Sequence, residues 1–266
     1  MQNSSRILIK NANLRDLGGL KNKNGLTLKS KCLLRSGHLA ELEKEEFTQF
    51  KDIGLKTIID LRRPSEIEKY PTPQLKEIRT LNFSLSSDDN EFAVAANLLT
   101  GDETAPIDTK ALMKKYFSES VDKNIDVYQK LFYELIDVKN FPLLFHCVAG
   151  KDRTGIVSTL ILGLLDVDES VILEDYLLTN KLQKNRMGSR MLEIRDRLSK
   201  NPVNNSEEIL EEKMEGIRML LSAHEDFLTA TLNGVHNRFD SWENFRINGL
   251  KIDDERFKKF KNFILT

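Results

Sequence analysis

Apolar positions along this chain follow two rhythms, and the rhythm changes shortly after its midpoint. Up to residue 147, short aliphatic runs recur: RILIK (6–10), CLLRS (32–36), KTIIDL (56–61), IRTLNF (78–83) and FPLLFHC (141–147). Each has the length of a strand, and the last is apolar almost without interruption, as expected of a strand buried on both faces. Helical spacing fills the gaps. Residues 40–54 carry apolar side chains at helical intervals and end at Gly54, a C-cap signal. Residues 108–138 predict a long amphipathic stretch, divisible into two helices. Residues 84–108 are polar at both ends and predict a loop or lid.

Past residue 153 the pattern is helical throughout. Residues 154–167 are apolar nearly all round, which predicts a buried helix. A further helical stretch covers 169–185, and in 209–221 Leu210, Met214, Ile217 and Leu221 share a face. Residues 253–265 open with acids and put Phe257, Phe260 and Ile264 on one side. Strands mixed with helices, then helices alone, predict an α/β chain forming a single domain over 1–266 with a helical C-terminal extension. Residues 84–108 and 185–223 are the expected lid or insertion segments.

Composition narrows the chemistry. With 40 basic and 41 acidic residues the formal net charge is −1, so no uniform basic field is offered to nucleic acid. A preference for anions must come from local arrangement. The two cysteines, Cys32 and Cys147, cannot build a disulfide framework, and they point to a reducing compartment. Residues 1–10 lack the apolar core of a secretory leader, and 156–167 is too short to span a bilayer, which needs about 20 residues. The chain is therefore expected in the cytoplasm, without stable membrane insertion. His38, His224 and His236 show no metal-ligand spacing, Cys32 reads as a small buried hydrophobe, and Trp242 with Phe239 and Phe245 reads as core packing.

One stretch concentrates the chemistry: FHCVAGKDRTG, residues 145–155, where five residues separate Cys147 from Arg153. A buried strand, then a cysteine, a turn with Gly150 and a helix build an anion site. The amides of residues 148–153 can curl around bound oxygens, with the positive end of the helix behind them. Val148, Ala149, Gly150 and Lys151 would supply that cradle, and Arg153 a bidentate fork. The same donors stabilise a thiolate on Cys147 that can attack a bound phosphorus. Thr154 is expected to hydrogen-bond the sulfur, and His146 to orient the loop through its ring nitrogens. Such a reaction needs no metal or other cofactor.

This loop resembles that of the cysteine-dependent protein tyrosine phosphatases. Its GKDRTG ending is similar to the bacterial branch of atypical tyrosine/serine and phosphoinositide phosphatases. NANLRDLGGL (11–20), LLRSGHL (33–39), IIDLRRPSEIEKYP (58–71) and DYLLTN (175–180) resemble further segments of that branch, although Leu14 replaces a usual aromatic. The resemblance implies a mainly parallel central sheet flanked by helices. It implies a phosphomonoesterase acting on phosphotyrosine, with phosphoserine, phosphothreonine and phosphoinositides as further substrates. It also favours Asp152 as general acid, with Asp88, Asp89, Asp102 and Asp108 as the alternatives. Lys151 is a cation at the pocket rim, free, paired with Asp60 or Glu66, or reading a second phosphate. Arg15, Asp16, Arg35, Asp60 and Arg62 are expected to form one ion-pair network bracing the loop.

Two other classes compete. A phosphate-binding pseudo-phosphatase could discard the thiol, and this chain keeps Cys147, Asp152, Arg153 and Thr154. A sulfurtransferase or arsenate reductase also uses cradled thiolates, but the first does not need the Lys-Asp-Arg-Thr ending and the second needs resolving cysteines. The expected partners are phosphorylated proteins or phosphoinositides as substrates, and the number of subunits is not fixed by sequence.

Overall fold

The structure is a computed structural model that describes residues 6–86, 91–101, 107–204 and 206–266. Six strands form one mixed sheet: β1 (Ile7–Ile9), β2 (Leu14–Asp16), β3 (Leu33–Ser36), β4 (Thr57–Asp60), β5 (Arg79–Asn82) and β6 (Leu143–His146), in the order β1-β2-β3-β6-β4-β5. β1, β2 and β3 run antiparallel, whereas β3, β6, β4 and β5 are parallel. The expected mainly parallel sheet is present, with an antiparallel edge at β1 and β2.

β6 lies at the centre and is buried along its whole length. Successive side chains of a strand face opposite ways. Leu33, Ile59, Leu143 and Phe145 therefore join the large core under the helices, while Leu34, Ile58 and Leu144 join Phe50 and Leu55 in a smaller core on the other face. The register sets Ser36, His146 and Asp60 side by side at the carboxyl ends of β3, β6 and β4. In parallel sheets this is the end at which ligands bind.

The helices are α1 (Thr48–Ile53), α2 (Pro64–Lys69), α3 (Glu91–Thr100), α4 (Thr109–Lys123), α5 (Ile125–Leu135), α6 (Asp152–Leu164), α7 (Glu169–Leu182), α8 (Lys184–Ser199), α9 (Glu207–Leu221), α10 (Glu225–Phe239), α11 (Trp242–Asn244) and α12 (Asp254–Ile264). As its uniform apolarity predicts, α6 is buried from Thr154 to Leu164. Phe260 and Ile264 of α12 are buried as expected, and Trp242 and Phe239 both pack their rings on Phe245.

Three expectations need correction. The helix over 40–54 is confined to Thr48–Ile53, because the ELEKEE stretch offers the smaller core only Leu42 before Phe47 and Phe50. Gly54 still closes it with a φ of +69°. The 84–108 stretch is not wholly a loop: it holds α3, whose Ala95 and Leu99 lie one turn apart and are buried. On α9 the buried apolar residues are Leu210, Met214, Ile217 and Leu220, with Lys213 buried beside them and Leu221 left at the edge.

Candidate active site

Cys147 follows β6 directly and is 3 % exposed. The turn after it is held by its carbonyls. Val148 O accepts from His38 N at 2.9 Å. Asn13 Nδ2 donates to Ala149 O at 3.2 Å and to Gly150 O at 3.0 Å, and Arg35 donates to Gly150 O at 3.0 Å. With the carbonyls drawn outward, the amides are turned the other way: no carbonyl of a described residue accepts from the amides of residues 148–153. Amides that no such carbonyl engages, beside the first turn of α6, are what an anion cradle needs.

Gly150 makes the turn possible. Its φ is +66°, and a Cβ there would lie 2.4 Å from the carbonyl carbon of Ser36 and 2.5 Å from Gly37 N. A side chain would drive the turn off the end of β3.

Arg153 is placed by Glu66. Its guanidinium donates to Glu66 Oε2 at 2.6 Å and Oε1 at 2.8 Å, with a longer bond to Leu61 O at 3.4 Å. This leaves two of its five N–H donors for an oxyanion. Burial would raise the Glu66 carboxyl, but hydrogen bonds and charge from Arg153 hold it down at about 2. Glu66 is in turn fixed because α2 starts at Pro64 and Glu66 Oε2 accepts from Arg63 N at 2.9 Å, a reciprocal cap. Glu66 thus pairs with Arg153 and not with Lys151.

Asp60 and Arg62 brace the same turn. Arg62 donates to Asp60 Oδ1 at 2.9 Å and Oδ2 at 2.7 Å, then reaches Tyr70 O at 2.7 Å and Thr72 Oγ1 at 2.6 Å, tying both ends of α2 to β4. His146 is fully buried, with Nδ1 3.1 Å from Cys147 O and Nε2 3.8 Å from Asp60 Oδ2. Burial pulls its basicity down, with Asp60 opposing.

The expected single network is two. Arg15 and Arg35 do not meet Asp60; they converge on Asp175 of α7, which also receives Arg6. Asp175 accepts from Arg35 at 2.9 Å and from Arg15 at 3.2 Å, and all four side chains are buried. Burial works against its charge, but the three guanidiniums keep its carboxyl well below the usual range. Arg35, pulled down to about 9 by burial and by Arg15, links this hub to Gly150. Asp16 stands apart, because its carboxylate caps Gly18 N at 2.8 Å and Lys31 N at 2.6 Å. Asp175 and Asn13 lie in segments the sequence reading quoted, but neither stood out as a functional side chain.

Asp152 opens α6 beside Arg153, with its side chain 16 % exposed. Burial pushes its carboxyl up, against the pull of Lys151 and Arg153. Tyr116 of α4 and Tyr176 of α7 are buried near enough to feel its charge. Of the alternative acids, Asp88, Asp89 and Asp102 lie outside the described residues. Asp108 is spent as the N-cap of α4, accepting from Ala111 N at 2.8 Å.

Lys151 departs from every expectation for a rim cation. It is 3 % exposed, and its Nζ donates to Leu220 O and, at 3.0 Å, to Ser222 O, with Asp152 Oδ1 at 3.5 Å. The carbonyls that end α9 carry the negative pole of that helix, which draws the ammonium in. Thr154 Oγ1 is buried without a hydrogen-bond partner among the described residues, so the expected contact with the Cys147 sulfur is not made.

Above the loop lies a groove of about 930 Å³ between α2 and the α7–α8 region, with Val148 and Ala149 on its floor. Among the described residues no cluster of side chains could hold a metal ion, and no helix is long and apolar enough to cross a membrane.

Comparisons with known proteins identify the family of this chain. A family model described as "Tyrosine phosphatase family" matches residues 8–266. A Cupriavidus necator protein, named provisionally as a tyrosine-protein phosphatase, is 30 % identical over 172 residues, covering 64 % of this chain and 61 % of its own. The triple specificity protein phosphatase PtpB of Mycobacterium tuberculosis is 27 % identical over 177 residues, covering 56 % of this chain and 60 % of its own. The chain thus spans about three fifths of the length of these two curated relatives. The solved core catalytic domain of the PP-IP phosphatase SIW14 from S. cerevisiae superposes with a TM-score of 0.36 at 15 % identity, covering 86 % of this chain and 96 % of that one.

Proposed function

Because this chain belongs to the tyrosine phosphatase family, we propose that it is a cysteine-dependent phosphomonoesterase acting on phosphotyrosine, with phosphoserine, phosphothreonine and phosphoinositides as slower candidates. The observation that carries the reading is the pairing of a buried Cys147 with a loop whose amides meet no carbonyl of a described residue and with Arg153 gripped by Glu66. Pre-set donors around a phosphoryl group supply most of the stabilisation that its transfer needs.

The bound phosphate accepts from the amides of residues 148–153 and from the free donors of Arg153. The Cys147 thiolate attacks phosphorus, an S–P bond forms, and the P–O bond to the leaving group breaks. Asp152, whose carboxyl burial pushes up against the pull of Lys151 and Arg153, gives its proton to the leaving oxygen. Water then attacks phosphorus, its proton passes to Asp152, the S–P bond breaks and inorganic phosphate departs. Asp60, Arg62, Glu66 and the Asp175 hub act by positioning, and residues 8–266 form one catalytic unit with α8 and α9 walling the groove.

Cys147→Ser tests the reading on p-nitrophenyl phosphate. Turnover should be lost while vanadate still binds; substantial residual hydrolysis would overturn the covalent route, and full activity in EDTA is expected of a route that uses no metal. Thiosulfate and arsenate should not be turned over.

A further inference from the structure

Two buried polar groups beside the candidate acid lack a hydrogen bond. Asp152 Oδ1, at the start of α6, and the Tyr176 hydroxyl, on α7, are both closed to solvent, and neither has a hydrogen-bond partner among the described residues. Lys151 Nζ stands off Oδ1 at the ion-pair distance of 3.5 Å. Buried hydroxyls and carboxyls are rarely left in this state, so each is a donor or acceptor with capacity to spare. The Asp152 carboxyl also has an inner and an outer oxygen. Oδ1 is buried, yet the side chain as a whole is 16 % exposed, so the exposure falls on the remainder, whose polar atom is Oδ2.

Packing holds Tyr176 against this turn of α6. A Cβ on Gly155 would lie 2.9 Å from Tyr176 Cδ2 and Cε2, so the ring rests where α6 has no side chain. Gly155 and Asp152 are three residues apart and share a helix face, with about 4.5 Å of rise between them. Phe117 of α4 meets the ring edge-on with centroids 6.3 Å apart, and the preceding residue, Asp175, is clamped by three arginines. Burial first and the Asp152 charge second push the phenol well above its ordinary value, so it keeps its proton and remains a donor. The groups facing the Asp152 carboxyl are Lys151 and Arg153 beside it in sequence, Tyr176 from α7 and Tyr116 from α4, with His224, which precedes α10, near Lys151.

We propose that Tyr176 positions the general acid: its hydroxyl donates to Asp152 Oδ1, directly or across one water, and so leaves the transferable proton on the outer oxygen, Oδ2. The proposal rests on the phosphatase reading above and adds a residue to it. During transfer the Oδ2–H bond breaks and the leaving oxygen takes the proton. Tyr176 keeps its own proton, and its hydrogen bond strengthens on the carboxylate that remains. Without that bond the proton can sit on Oδ1, closed off from the groove, and the carboxylate left behind is less stable. The interaction therefore acts on the step and not on substrate binding, and its loss appears in kcat rather than KM.

Tyr176→Phe removes the hydroxyl and keeps the ring on Gly155. On a phosphotyrosine peptide its kcat should fall by about tenfold, the scale of a hydrogen bond to a charged group, with KM unchanged. On p-nitrophenyl phosphate, whose leaving group needs no proton, the loss should stay within roughly twofold. The alkaline limb of kcat on the peptide should move upward, because a donor to the carboxylate has gone. Added to Asp152→Asn, Tyr176→Phe should cost nothing more. Tyr128→Phe, which removes a buried hydroxyl 3.4 Å from Ser120 Oγ, should leave the difference between the two substrates as in the wild type. Carbon-13 titration of labelled aspartates in Cys147→Ser, with the Asp152 signal assigned through Asp152→Asn, reads the bond without turnover. Tyr176→Phe should raise that titration by about one pH unit. If no substrate is hydrolysed, the phosphatase reading fails while the hydrogen bond is still judged by this titration. Equal losses on both substrates, a loss additive with Asp152→Asn, the same signature from Tyr116→Phe alone, or an unmoved Asp152 titration would overturn the proposal.

Discussion

Replacing Asp175 by Asn removes one charge from the centre of the frame behind the loop. The carboxylate accepts from Arg6, from Arg15 at 3.2 Å and from Arg35 at 2.9 Å, and its side chain is 1 % exposed. A carboxamide fills the same space but is neutral, offers one acceptor oxygen and turns an NH₂ group toward a guanidinium. Breaking a buried ion pair by removing one partner costs about 3–5 kcal/mol. Here one partner serves three cations, which places the loss near the upper end, at about 4–5 kcal/mol. Each kcal/mol moves the Tm of a domain this large by roughly 2–4 °C, so a fall of roughly 8–20 °C is expected.

The pH dependence has a definite sign. The Asp175 carboxyl sits below its ordinary value in the folded chain, so its contribution is fully present above the unfolded pKa of about 3.9 and is lost as pH falls through the folded value. The wild type should therefore lose part of its stability in acid below about pH 4, and Asp175→Asn should lose less across that window. Because Arg35 also holds Gly150 O, the variant's kcat/KM should fall further than its unfolded fraction explains. Calorimetry at neutral pH and urea unfolding across the acid range read these effects. A Tm within about 2 °C of wild type, with the same acid slope, would refute the reasoning.

Asp152→Asn should retain more activity on p-nitrophenyl phosphate, whose leaving group departs unaided, than on phosphotyrosine, and equal losses would move the acid to another residue. The raised Asp152 carboxyl stays protonated until pH rises through its folded value, so the alkaline fall in kcat should be displaced upward in the wild type and absent in the variant. Glu66→Gln keeps the shape of the Arg153 clasp but not its charge, and should lower kcat/KM by roughly tenfold or more; rates within twofold of wild type would mean that Arg153 is held by other contacts. Lys151→Met should loosen the end of α9, raising hydrogen exchange at residues 220–223 and weakening phosphotyrosine and inositol lipid hydrolysis together. A loss confined to the lipid would return Lys151 to the substrate.

The parts legible in the sequence were those encoded by neighbours. Strand, cysteine, glycine turn and helix are contiguous from Phe141 to Leu164, so periodicity and the Cys147–Arg153 spacing reveal both the element and its chemistry. The hub around Asp175 was hidden because its partners lie 140 to 169 residues away, and an Asp on a helix gives no sign that it is buried. Lys151 was misread because its acceptors are backbone carbonyls, which every residue possesses. β2 is three residues long and carries two charged side chains, so its alternation could not separate it from a turn. α3 was masked by polar flanks, although Ala95 and Leu99 already stood one turn apart.

Rapid-quench trapping of a phosphoenzyme bears most directly on the central claim. The chain is mixed with labelled phosphotyrosine peptide, stopped within the first turnovers and digested for mass spectrometry. One phosphoryl group should be found on the sulfur of Cys147, formed before phosphate release and accumulating further in Asp152→Asn when the aryl leaving group is good. Phosphate released without any labelled Cys147, or a label on another side chain that turns over at the same rate, would contradict the account.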